Sequence, residues 1–440
     1  MIKSKQVVIL AGGEGTRLKA ISGDTPKSMV LVNSKPVLLH LIEQCIKYGF
    51  IDIRLLVSFG SNNIKRYFGD GSNFGVSIEY SNDSTLKGTA GALLDVIEDL
   101  DDYFLVLYGD TYFEINLNKI WNFHRLQSSD ATLFVHPNDH PYDSDLVELD
   151  DNFRIKTIHK YPHDKHWRRN LVNAAVYVFT KSALSGIKPP VKKMDIAKEL
   201  FPLMIKNGNK LYGYMTTEYI KDMGTPDRLE SVKHDISSGK VSKLNYSCKK
   251  KAVFLDRDGV INHEVGHLSS TKQFKLIDGV SDAIRLLNRA GFITVVVTNQ
   301  PIIARGILSC EGLRIIHNKM ETLLGNDNAY IDKIYYCPHH PDSGFKGEIN
   351  ELKVDCSCRK PEPGLLLRAS EELNLSLDNS WIVGDRTADI LAGSRVDMST
   401  ILVKTGFAGK DEKYRIKPNF IATDLSEAVD LILNGKENDY

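Results

Sequence analysis

The chain has 440 residues, of which 42% are hydrophobic and 25% charged, and it carries 56 basic and 56 acidic side chains. This length exceeds one ordinary hydrophobic core and predicts two domains of roughly 200 residues each. The balanced charge provides no net field that would favour nucleic acid or an anionic membrane as a partner. No apolar run approaches the roughly 18 residues that span a bilayer, and the first one is too short for a signal peptide core.

Apolar runs typical of buried strands alternate with amphipathic stretches typical of helices along most of the chain. The clearest runs are 6–10, 53–57, 103–107, 131–135, 252–255, 293–297, 380–383 and 400–403. This alternation predicts an α/β fold with parallel sheets in two Rossmann-like domains. A small, polar and basic stretch at 237–250 precedes a new buried strand. We therefore predict a first domain at 1–238, a linker at 239–250 and a second domain at 251–440.

The first apolar run leads into a glycine-rich turn, G-G-E-G-T-R-L, at residues 12–18. Glycines let backbone N–H groups approach a phosphate closely, and Arg17 supplies positive charge. The turn is not a Walker loop, because no Gly-Lys-Ser/Thr closes it, and it lacks the spacing of the dinucleotide fingerprint. An ordinary strand-to-helix turn has the same local pattern. The neighbouring motifs therefore have to distinguish a phosphate-binding turn from an ordinary one.

Four neighbouring residues favour a nucleotide site. Lys27 follows a proline-stiffened turn and suits a second phosphate, while Gly88 lies in a small-residue loop that suits a flat base. Asp110 follows a strand, where a carboxylate can hold Mg²⁺ against a triphosphate, and Asp222 is a second candidate. An isolated aspartate at a strand end is more often a helix cap. The assignment of Asp110 and Asp222 as Mg²⁺ ligands is therefore supported only by the neighbouring motifs taken together.

Together these motifs resemble the sugar-phosphate nucleotidylyltransferases across residues 1–235. That family carries G-G-x-G-T-R-L, P-K, L-G-T-A-G, G-D and a late D-x-G-T/I-P in this order. The resemblance implies that a sugar 1-phosphate attacks an NTP and that pyrophosphate leaves. It implies that Lys27 and Arg17 stabilise the charged transition state, that Gly88 backs the base, and that Asp110 and Asp222 hold Mg²⁺. The implied triphosphate cradle consists of Gly12, Gly13, Gly15, Thr16 and Arg17.

The sugar side of this resemblance contains two departures. Asn173 matches the sugar contact of the family motif N-A-G-x-Y/F, but Ala175 stands where glycine is usual. Lys160 matches the lysine of an E-K-P motif and is expected to reach the sugar phosphate. His159 replaces the glutamate of that motif, so the glutamate's sugar contact is in question.

The second half opens with Asp256 and Asp258, two residues apart at the end of an apolar run. Because side chains alternate along a strand, we expect both carboxylates to point the same way. One can attack phosphorus while the other handles the proton of the leaving group. A bare D-x-D is common, but the full strand before it and Gly-Val after it favour a functional site.

This pattern resembles the haloacid-dehalogenase superfamily of phosphatases across about residues 250–420. The resemblance implies that Asp256 becomes an aspartyl-phosphate and that Asp258 is the general acid and base. It implies a Mg²⁺ site formed by Asp256, the Asp258 backbone carbonyl and Asp385. The implied phosphate-binding residues are Thr298, Asn299, Arg359 and Lys360. Pro301 is a departure, since relatives usually have serine there and proline lacks a backbone N–H.

Four soft or borderline ligands form two close pairs, with sixteen residues between His339 and Cys356. This spacing fits a closed tetrahedral structural Zn²⁺ site, against the alternative of buried cysteines and a surface histidine. The predicted ligands are Cys337, His339, Cys356 and Cys358. His340 is expected beside the site or exposed. Metal-binding thiols point to a reducing compartment, so we expect a cytoplasmic protein.

The zinc loop followed by C-R-K-P-x-P-G resembles the D-glycero-D-manno-heptose 1,7-bisphosphate phosphatases, although histidinol-phosphate phosphatases carry a similar loop. Residues 108–113 and 219–224 most resemble the heptose 1-phosphate guanylyltransferases. The implied function is consecutive: removal of the 7-phosphate, then transfer of GMP from GTP to heptose 1-phosphate. The product, GDP-heptose, would serve a lipopolysaccharide or S-layer glycan.

Two alternatives stay open at this point. The first is a mannose- or hexosamine-1-phosphate nucleotidylyltransferase fused to a phosphatase of other specificity, such as a histidinol-phosphate phosphatase. The second is a regulatory or scaffolding protein with degenerate enzyme domains, against which the intact acidic and basic residues argue. In each enzymatic reading the partners are small-molecule NTPs and sugar phosphates, with no nucleic acid and no membrane. A homo-oligomer stays open.

Overall fold

The computed structural model describes residues 5–13, 23, 25–82, 87–188 and 192–434, which fall into two compact units. Unit 1 comprises Met1–His136, Asp145–Tyr161 and Val172–Tyr246. Unit 2 comprises Ser247–Tyr440 together with the segments Pro137–Ser144 and Pro162–Leu171. The stretch predicted as a linker, 239–250, contains the short helix Lys240–Lys243. The domain boundaries predicted from the sequence, after residue 238 and after residue 250, stay a prediction.

Unit 1 contains thirteen strands and seven helices within the described residues. Its strands are β1 Gln6–Leu10, β2 Leu31–Val32, β3 Lys35–Pro36, β4 Asp52–Val57, β5 Ser77–Asn82, β6 Tyr103–Tyr108, β7 Thr111–Glu114, β8 Ala131–His136, β9 Leu146–Leu149, β10 Ile155–His159, β11 Val172–Thr180, β12 Leu211–Met215 and β13 Tyr219–Asp222. Its helices are α1 Val37–Lys47, α2 Ser61–Phe68, α3 Gly88–Asp95, α4 Leu117–Leu126, α5 Phe201–Lys206, α6 Pro226–Ser237 and α7 Lys240–Lys243.

The main sheet of unit 1 has nine strands, in the order β10-β9-β11-β6-β1-β4-β5, with β8 beside β11 and β12 beside β8. The central strands β4, β1 and β6 run parallel, whereas β11 is antiparallel to β6. Helix α1 packs on the sheet through one apolar face, because apolar residues recur along it every three or four positions. These buried residues are Leu38, Leu41, Ile42 and Cys45. They belong to the same apolar core as the side chains of β1 and β4.

Unit 2 is built on a six-stranded sheet that is parallel throughout. Its strands are β14 Ala252–Leu255, β15 Ile293–Asn299, β16 Lys333–Cys337, β17 Trp381–Gly384, β18 Ser399–Val403 and β19 Phe420–Ala422, in the spatial order β16-β15-β14-β17-β18-β19. Its helices are α8 Val280–Ala290, α9 Cys310–Asn326, α10 Gly364–Leu373, α11 Thr387–Ser394 and α12 Leu425–Asn434. The predicted α/β class is confirmed.

The first strand of each unit lies inside its sheet, with later strands on both sides. β1 lies between β4 and β6, and β14 lies between β15 and β17. Connections therefore leave the first strand in opposite directions, which opens a crevice at its carboxyl end where α/β proteins bind ligands. Asp256 follows β14 directly, and Gly12 follows β1 after one residue. No helix in the described part of the chain is both long and apolar enough to cross a membrane.

Candidate active sites

The centre of the unit 2 site is a buried ion pair between Asp256 and Lys360. Nζ of Lys360 lies 3.1 Å from Oδ1 of Asp256 and 2.6 Å from Oδ1 of Asp389. Burial raises the pKa of Asp256 to about 6, although Lys360 opposes that rise. Burial lowers the pKa of Lys360, but the negative charges of Asp256 and Asp389 raise it by more than burial lowers it. The net shift of the Lys360 pKa is therefore upward. Lys360 therefore stays protonated and holds a carboxylate that is poorly solvated, as a nucleophile should be.

Three carboxylates meet around this pair. Ligand oxygens of Asp256, Asp385 and Asp389 all lie within 4.8 Å of one another. Oδ2 of Asp385 accepts from the backbone N–H of Phe407 at 2.7 Å, while its buried Oδ1 has no hydrogen-bond partner among the described residues. Burial, followed by the charges of Asp256 and Asp389, raises the pKa of Asp385 to about 8. A crowded set of oxygen ligands with an orphaned acceptor fits a divalent cation such as Mg²⁺.

Asp389 was not among the predicted ligands. It lies in the first turn of α11, four residues after Asp385, and only 1% of its surface is exposed. Its signal in the sequence was this D-x-x-x-D spacing of one helical turn after a strand. Gly384 makes the approach possible, because a Cβ there would lie 2.2 Å from the Cβ of Asp389. Gly406, at φ +67°, leaves similar room for Asp385.

Asp258 lies in a turn beyond the strand. β14 ends at Leu255, so strand alternation does not set the direction of both carboxylates. Asp258 lies within a turn in which the N–H groups of Ile261 and Asn262 donate to the Arg257 carbonyl, at 2.8 and 3.0 Å. Asp256 and Asp258 nevertheless line one cavity of about 1050 Å³. The two carboxylates therefore face the same cavity, as expected, but a turn and not strand alternation places them there.

Arg257 holds the Asp258 carboxylate from behind. Its fully buried guanidinium places Nη2 at 2.8 Å from Oδ2 of Asp258, and Gln300 donates to the same oxygen at 3.0 Å. Burial raises the pKa of Asp258, but Arg257, Asn262 and Gln300 outweigh burial and the net shift is downward. His317 of α9 lies 3.2 Å from Nη1 of Arg257. Burial and then Arg257 lower the pKa of His317 to about 3, so it is neutral and accepts from Arg257.

The predicted phosphate-binding residues line the same cavity: Thr298, Asn299, Arg359 and Lys360. Oγ1 of Thr298 accepts from Gln300 at 2.9 Å. The Asn299 amide bonds the backbone of Lys360 twice, at 3.0 Å each, so it fixes the lysine. Arg359 donates to the carbonyl of His339 at 3.2 Å. Pro301 also lines the cavity, and its carbonyl accepts from the Arg305 N–H at 3.1 Å.

The four predicted zinc ligands form one cluster: Cys337, His339, Cys356 and Cys358. Sγ of Cys356 lies 3.5 Å from that of Cys337 and 3.2 Å from that of Cys358, and Nδ1 of His339 lies 3.3 Å from Sγ of Cys358. All of these cysteines are free thiols. A tetrahedral site with Zn–S bonds of about 2.3 Å has sulfur–sulfur edges of about 3.8 Å, so the cluster fits zinc.

In unit 1 the structure brings Lys27, Asp110 and Asp222 into one region. Lys27 and Asp110 form a close ion pair, while Asp222 pairs with Arg228 at 2.9 Å. β7 and β13 are antiparallel neighbours in which Thr111 faces Asp222, and the N–H of Met223 donates to the Asp110 carbonyl at 3.0 Å. Each carboxylate is thus neutralised by a cation. Asp222 is the last residue of β13, and Asp110 directly precedes its neighbour β7.

At Gly12 and Gly88 the backbone packs closely against a neighbouring segment of the chain. A Cβ at Gly12 would lie 2.9 Å from Oγ of Ser58, whereas a Cβ at Gly13 would meet no atom of the described residues within 4 Å. Gly88 begins α3 at φ +81°, and a Cβ there would lie 2.5 Å from the Met194 carbonyl oxygen. The other predicted members of the triphosphate cradle lie outside the described residues: Gly15, Thr16 and Arg17.

Asp145 ties the two predicted sugar-binding segments together. Its carboxylate accepts from the Tyr161 N–H at 2.9 Å, and its carbonyl accepts from the Asn173 N–H at 3.2 Å. Lys160, which is exposed, precedes Tyr161 directly. No motif pointed to Asp145, because its contacts are with residues distant in sequence.

Two features account for the departures on the sugar side. Nε2 of His159 lies 3.2 Å from Glu148 of the neighbouring strand β9, so a carboxylate is present although the E-K-P glutamate is not. Ala175 has φ +57° within β11, next to an irregularity in the pairing with β8. This left-handed conformation favours glycine, which explains the glycine usual at that position.

Comparisons with known proteins assign a family to each half of the chain. The family model described as nucleotidyl transferase matches residues 6–239, and the one described as HAD-hydrolase-like matches residues 357–428. The D-glycero-beta-D-manno-heptose-1,7-bisphosphate 7-phosphatase of Pasteurella multocida is 44% identical over 158 residues, 36% of this chain and 83% of that protein. The protein of the same name from Escherichia coli K12 is 40% identical over 184 residues, 42% of this chain and 88% of that protein.

Among solved structures, HddC from Yersinia pseudotuberculosis is 26% identical, with a TM-score of 0.46, and covers 53% of this chain and 99% of its own. The family match to the first half spans more than half of the whole chain, and the matched relatives of the second half are covered almost completely. The chain therefore belongs to the nucleotidyl transferase family through its first half, and its second half belongs to the family of the heptose-1,7-bisphosphate 7-phosphatases, within the HAD-like hydrolases.

Proposed function

We propose that the chain is a bifunctional enzyme of nucleotide-activated heptose synthesis. Unit 2 removes the 7-phosphate of D-glycero-D-manno-heptose 1,7-bisphosphate, and unit 1 transfers GMP from GTP to the heptose 1-phosphate, giving GDP-heptose and pyrophosphate. The observation that carries the proposal is Asp256, a buried carboxylate held by Lys360 beside Asp385 and Asp389, in a chain segment 44% identical to a heptose bisphosphatase. That likeness favours heptose bisphosphate over histidinol phosphate as the substrate.

The phosphatase reaction takes two steps at Asp256. A carboxylate oxygen of Asp256 attacks phosphorus, the bond from phosphorus to the C7 oxygen breaks, and Asp258 protonates that oxygen. Water then attacks the aspartyl-phosphate, gives its proton to Asp258, and orthophosphate leaves. Asp258 is ionised at rest because Arg257, Asn262 and Gln300 outweigh burial. The charge of an entering phosphate raises the pKa of Asp258 again, so that it takes up from solvent the proton that it donates to the C7 oxygen.

Unit 1 acts mainly by positioning and neutralising charge. Lys27, which pairs with Asp110, would stabilise the charge that develops as pyrophosphate leaves. Asn173 and Lys160, tied together by Asp145, would orient the sugar 1-phosphate. The guanine preference rests on the resemblance of residues 108–113 and 219–224 alone.

Two metals complete the proposal. Asp256, Asp385 and the Asp258 carbonyl, joined by Asp389, would hold Mg²⁺ in unit 2, and Asp110 with Asp222 would hold it in unit 1. Mg²⁺ supplies charge neutralisation to the transferred phosphoryl group. Cys337, His339, Cys356 and Cys358 would hold one structural Zn²⁺. Thiolate ligands suit the reducing cytoplasm, where we place both reactions, with the product serving a lipopolysaccharide or S-layer glycan.

A panel of NTPs and sugar phosphates, read by product mass spectrometry, tests the function. With heptose 1,7-bisphosphate, GTP and Mg²⁺, orthophosphate should appear first and GDP-heptose second. The Asp256→Asn enzyme should stall on the bisphosphate yet still convert heptose 1-phosphate. Efficient nucleotidyl transfer to the bisphosphate by that variant would overturn the order, and histidinol phosphate as the better substrate would overturn the pathway.

A further inference from the structure

A chain of hydroxyl groups in unit 1 begins at Asn173, the residue proposed to contact the sugar. Nδ2 of Asn173 donates to the hydroxyl of Tyr177 at 2.9 Å. Tyr177 lies in β11 and is only 1% exposed. Its hydroxyl is hydrogen-bonded to that of Tyr108, the last residue of β6, and the two rings meet edge to face with their centroids 6.0 Å apart. Hydrogen bonding thus continues from the proposed sugar contact into the interior of unit 1.

The other end of this chain lies in the loop that carries Gly88. The hydroxyl of Tyr108 is hydrogen-bonded to that of Thr89, which directly follows Gly88 in α3. Oγ1 of Thr89 donates in turn to Oδ2 of Asp195 at 2.9 Å. A chain of three hydroxyl groups therefore connects the segment proposed to bind the sugar with the loop proposed to back the base.

Asp195 fixes the far end of the chain. Its Oδ1 accepts from the N–H groups of Ala197 and Lys198, at 2.9 and 3.0 Å, and so caps the helical segment that follows. The N–H of Ile196 donates to Oγ1 of Thr89 at 2.9 Å and occupies one of the two lone pairs of that oxygen. Backbone groups therefore hold Asp195 and Thr89 in place without help from the tyrosines.

The protons of this hydroxyl chain, which consists of Tyr177, Tyr108 and Thr89, run in one direction. A carboxylate accepts hydrogen bonds and donates none, so Thr89 gives its single proton to Asp195 and accepts from Tyr108. By the same count, Tyr108 accepts from Tyr177. Burial raises the pKa of both phenols, so each keeps the proton that it donates.

This direction sets which end of the Asn173 amide points inwards. Because the Tyr177 hydroxyl gives its proton to Tyr108, it accepts from the NH₂ group of Asn173, and the amide oxygen points away from it. That oxygen accepts from the N–H of Ala175 at 3.4 Å, a long bond that leaves it able to accept from a sugar hydroxyl. The Asn173 backbone is held separately, since its N–H donates to the Asp145 carbonyl at 3.2 Å.

We propose that Tyr177 and Tyr108 are positioning residues, which hold the amide of Asn173 with its oxygen towards the sugar. Through Thr89, that amide is anchored to the loop of Gly88. The inference rests on the proposed nucleotidyl transfer and names residues that act on the sugar through Asn173 without touching it. Without the hydroxyl chain, the amide is free to turn over and to present its NH₂ group, which cannot accept a hydrogen bond from a sugar hydroxyl.

The experiment measures nucleotidyl transfer by the intact enzyme with heptose 1-phosphate, GTP and Mg²⁺. Tyr177→Phe should raise KM for heptose 1-phosphate about fivefold, the effect of one lost hydrogen bond, and change kcat and KM for GTP less than about twofold. KM for GTP stays because Thr89 is held without the tyrosines. Tyr108→Phe should raise KM for heptose 1-phosphate about twofold, because Tyr177 then still contacts the amide but has lost its acceptor. Tyr214→Phe, which removes a half-buried hydroxyl of β12 outside the hydroxyl chain, is the matched control and should change none of these values.

A double variant distinguishes positioning from a merely structural role. Asn173→Ala should itself raise KM for heptose 1-phosphate, and adding Tyr177→Phe should raise it no further, because the group that Tyr177 positions is gone. An equal rise in both backgrounds would overturn the proposal, and so would an unchanged KM in the single variant Tyr177→Phe or a fall in kcat alone. The thermal unfolding midpoint shows whether each variant is folded, and Tyr108→Phe decides the matter if Tyr177→Phe is not.

The parent enzyme separates this inference from the proposed function. If it transfers a nucleotidyl group to another sugar 1-phosphate but not to heptose 1-phosphate, the proposed sugar is wrong, and the same changes in KM are expected for the sugar that reacts. If it transfers to no sugar 1-phosphate, the proposed function and this inference are both wrong.

Discussion

Nζ of Lys360 lies 3.1 Å from Oδ1 of Asp256, and the two side chains are only 2% and 11% exposed. Charges removed from water this completely are costly unless they are paired. The pair is held from both sides, because Lys360 also donates to the carbonyl of Val297 at 2.7 Å and its backbone is bonded by Asn299. The Asp256 carboxylate is therefore held in a rigid arrangement at the end of β14, as the proposed nucleophile requires.

The two activities should separate by mutation. Asp256→Asn retains the shape of the side chain but removes the attacking oxygen's charge, so phosphate release should fall about 10³-fold or more. Pyrophosphate production from heptose 1-phosphate and GTP should stay near the parent value. Asp110→Ala should produce the reverse pattern. Loss of both activities from either change would contradict independent sites.

The cysteine cluster should retain one Zn²⁺ per chain after extensive dialysis, whereas Mg²⁺ should exchange readily. Cys358→Ser should lower zinc content and phosphatase activity, because the loop that carries Arg359 and Lys360 follows this ligand directly. GDP-heptose formation should change little. Cys310→Ser, at an exposed free thiol outside the cluster, is the matched control and should change neither. Zinc-free protein with full phosphatase activity would contradict the assignment.

Ala175→Gly should stabilise unit 1 by about 1 kcal/mol, because glycine occupies φ +57° without the steric cost that alanine bears there. Ala174→Gly, one residue earlier in β11, should instead destabilise by about 0.5–1 kcal/mol, since glycine loses more conformational entropy on folding. The measurement is the thermal unfolding midpoint of both variants beside the parent. Shifts of the same sign would contradict the argument.

His124 should make unit 1 less stable in mild acid. It is fully buried in α4 between Oγ1 of Thr132 and Oγ1 of Thr180, at 2.9 and 3.0 Å. Burial, and then the charge of Arg125, lower its pKa from 6.5 to about 4. A histidine with a lowered folded pKa contributes stability that is present above pH 6.5 and is lost as pH falls towards 4, by up to about 3 kcal/mol.

Hydrogen exchange of the buried β8 amides between pH 4 and 7.5 measures this effect. Protection free energies should fall with pH in the parent, and His124→Gln should flatten that dependence. His234→Gln, at an exposed histidine of α6, should leave it unchanged. An unaltered pH dependence in His124→Gln would show that another group titrates.

Motifs at strand ends were predictable because they obey a local rule. Asp256, Thr298 and Asp385 each stand at or just after the carboxyl end of a strand, and parallel strands bring those ends to one edge. The clustering of Cys337, His339, Cys356 and Cys358 was predictable because Cys and His pairs with this spacing have few uses other than metal binding. The deviation at Ala175 was visible in the sequence, but its cause is a backbone angle that only the structure shows.

Contacts between residues distant in sequence could not be predicted in this way. Arg257, which lies between two aspartates, turns its charge towards Asp258 and His317, and no spacing rule distinguishes this from contact with a substrate. Asp145 similarly joins Tyr161 to Asn173 through hydrogen bonds to backbone groups that leave no motif.

By itself, the sequence determined the two α/β halves and the family of each, and it supplied candidate residues for the chemistry, because strand periodicity, glycine turns and ligand spacing are properties of short segments. Only the tertiary structure decided that Asp389 joins Asp385, that Glu148 lies beside His159, and that Arg305 and Lys413 share a cavity with Asp256. These arrangements depend on how strands and loops pack across long stretches of chain. Charge and burial at each site are set by that packing, and so are the pKa values on which the chemistry depends.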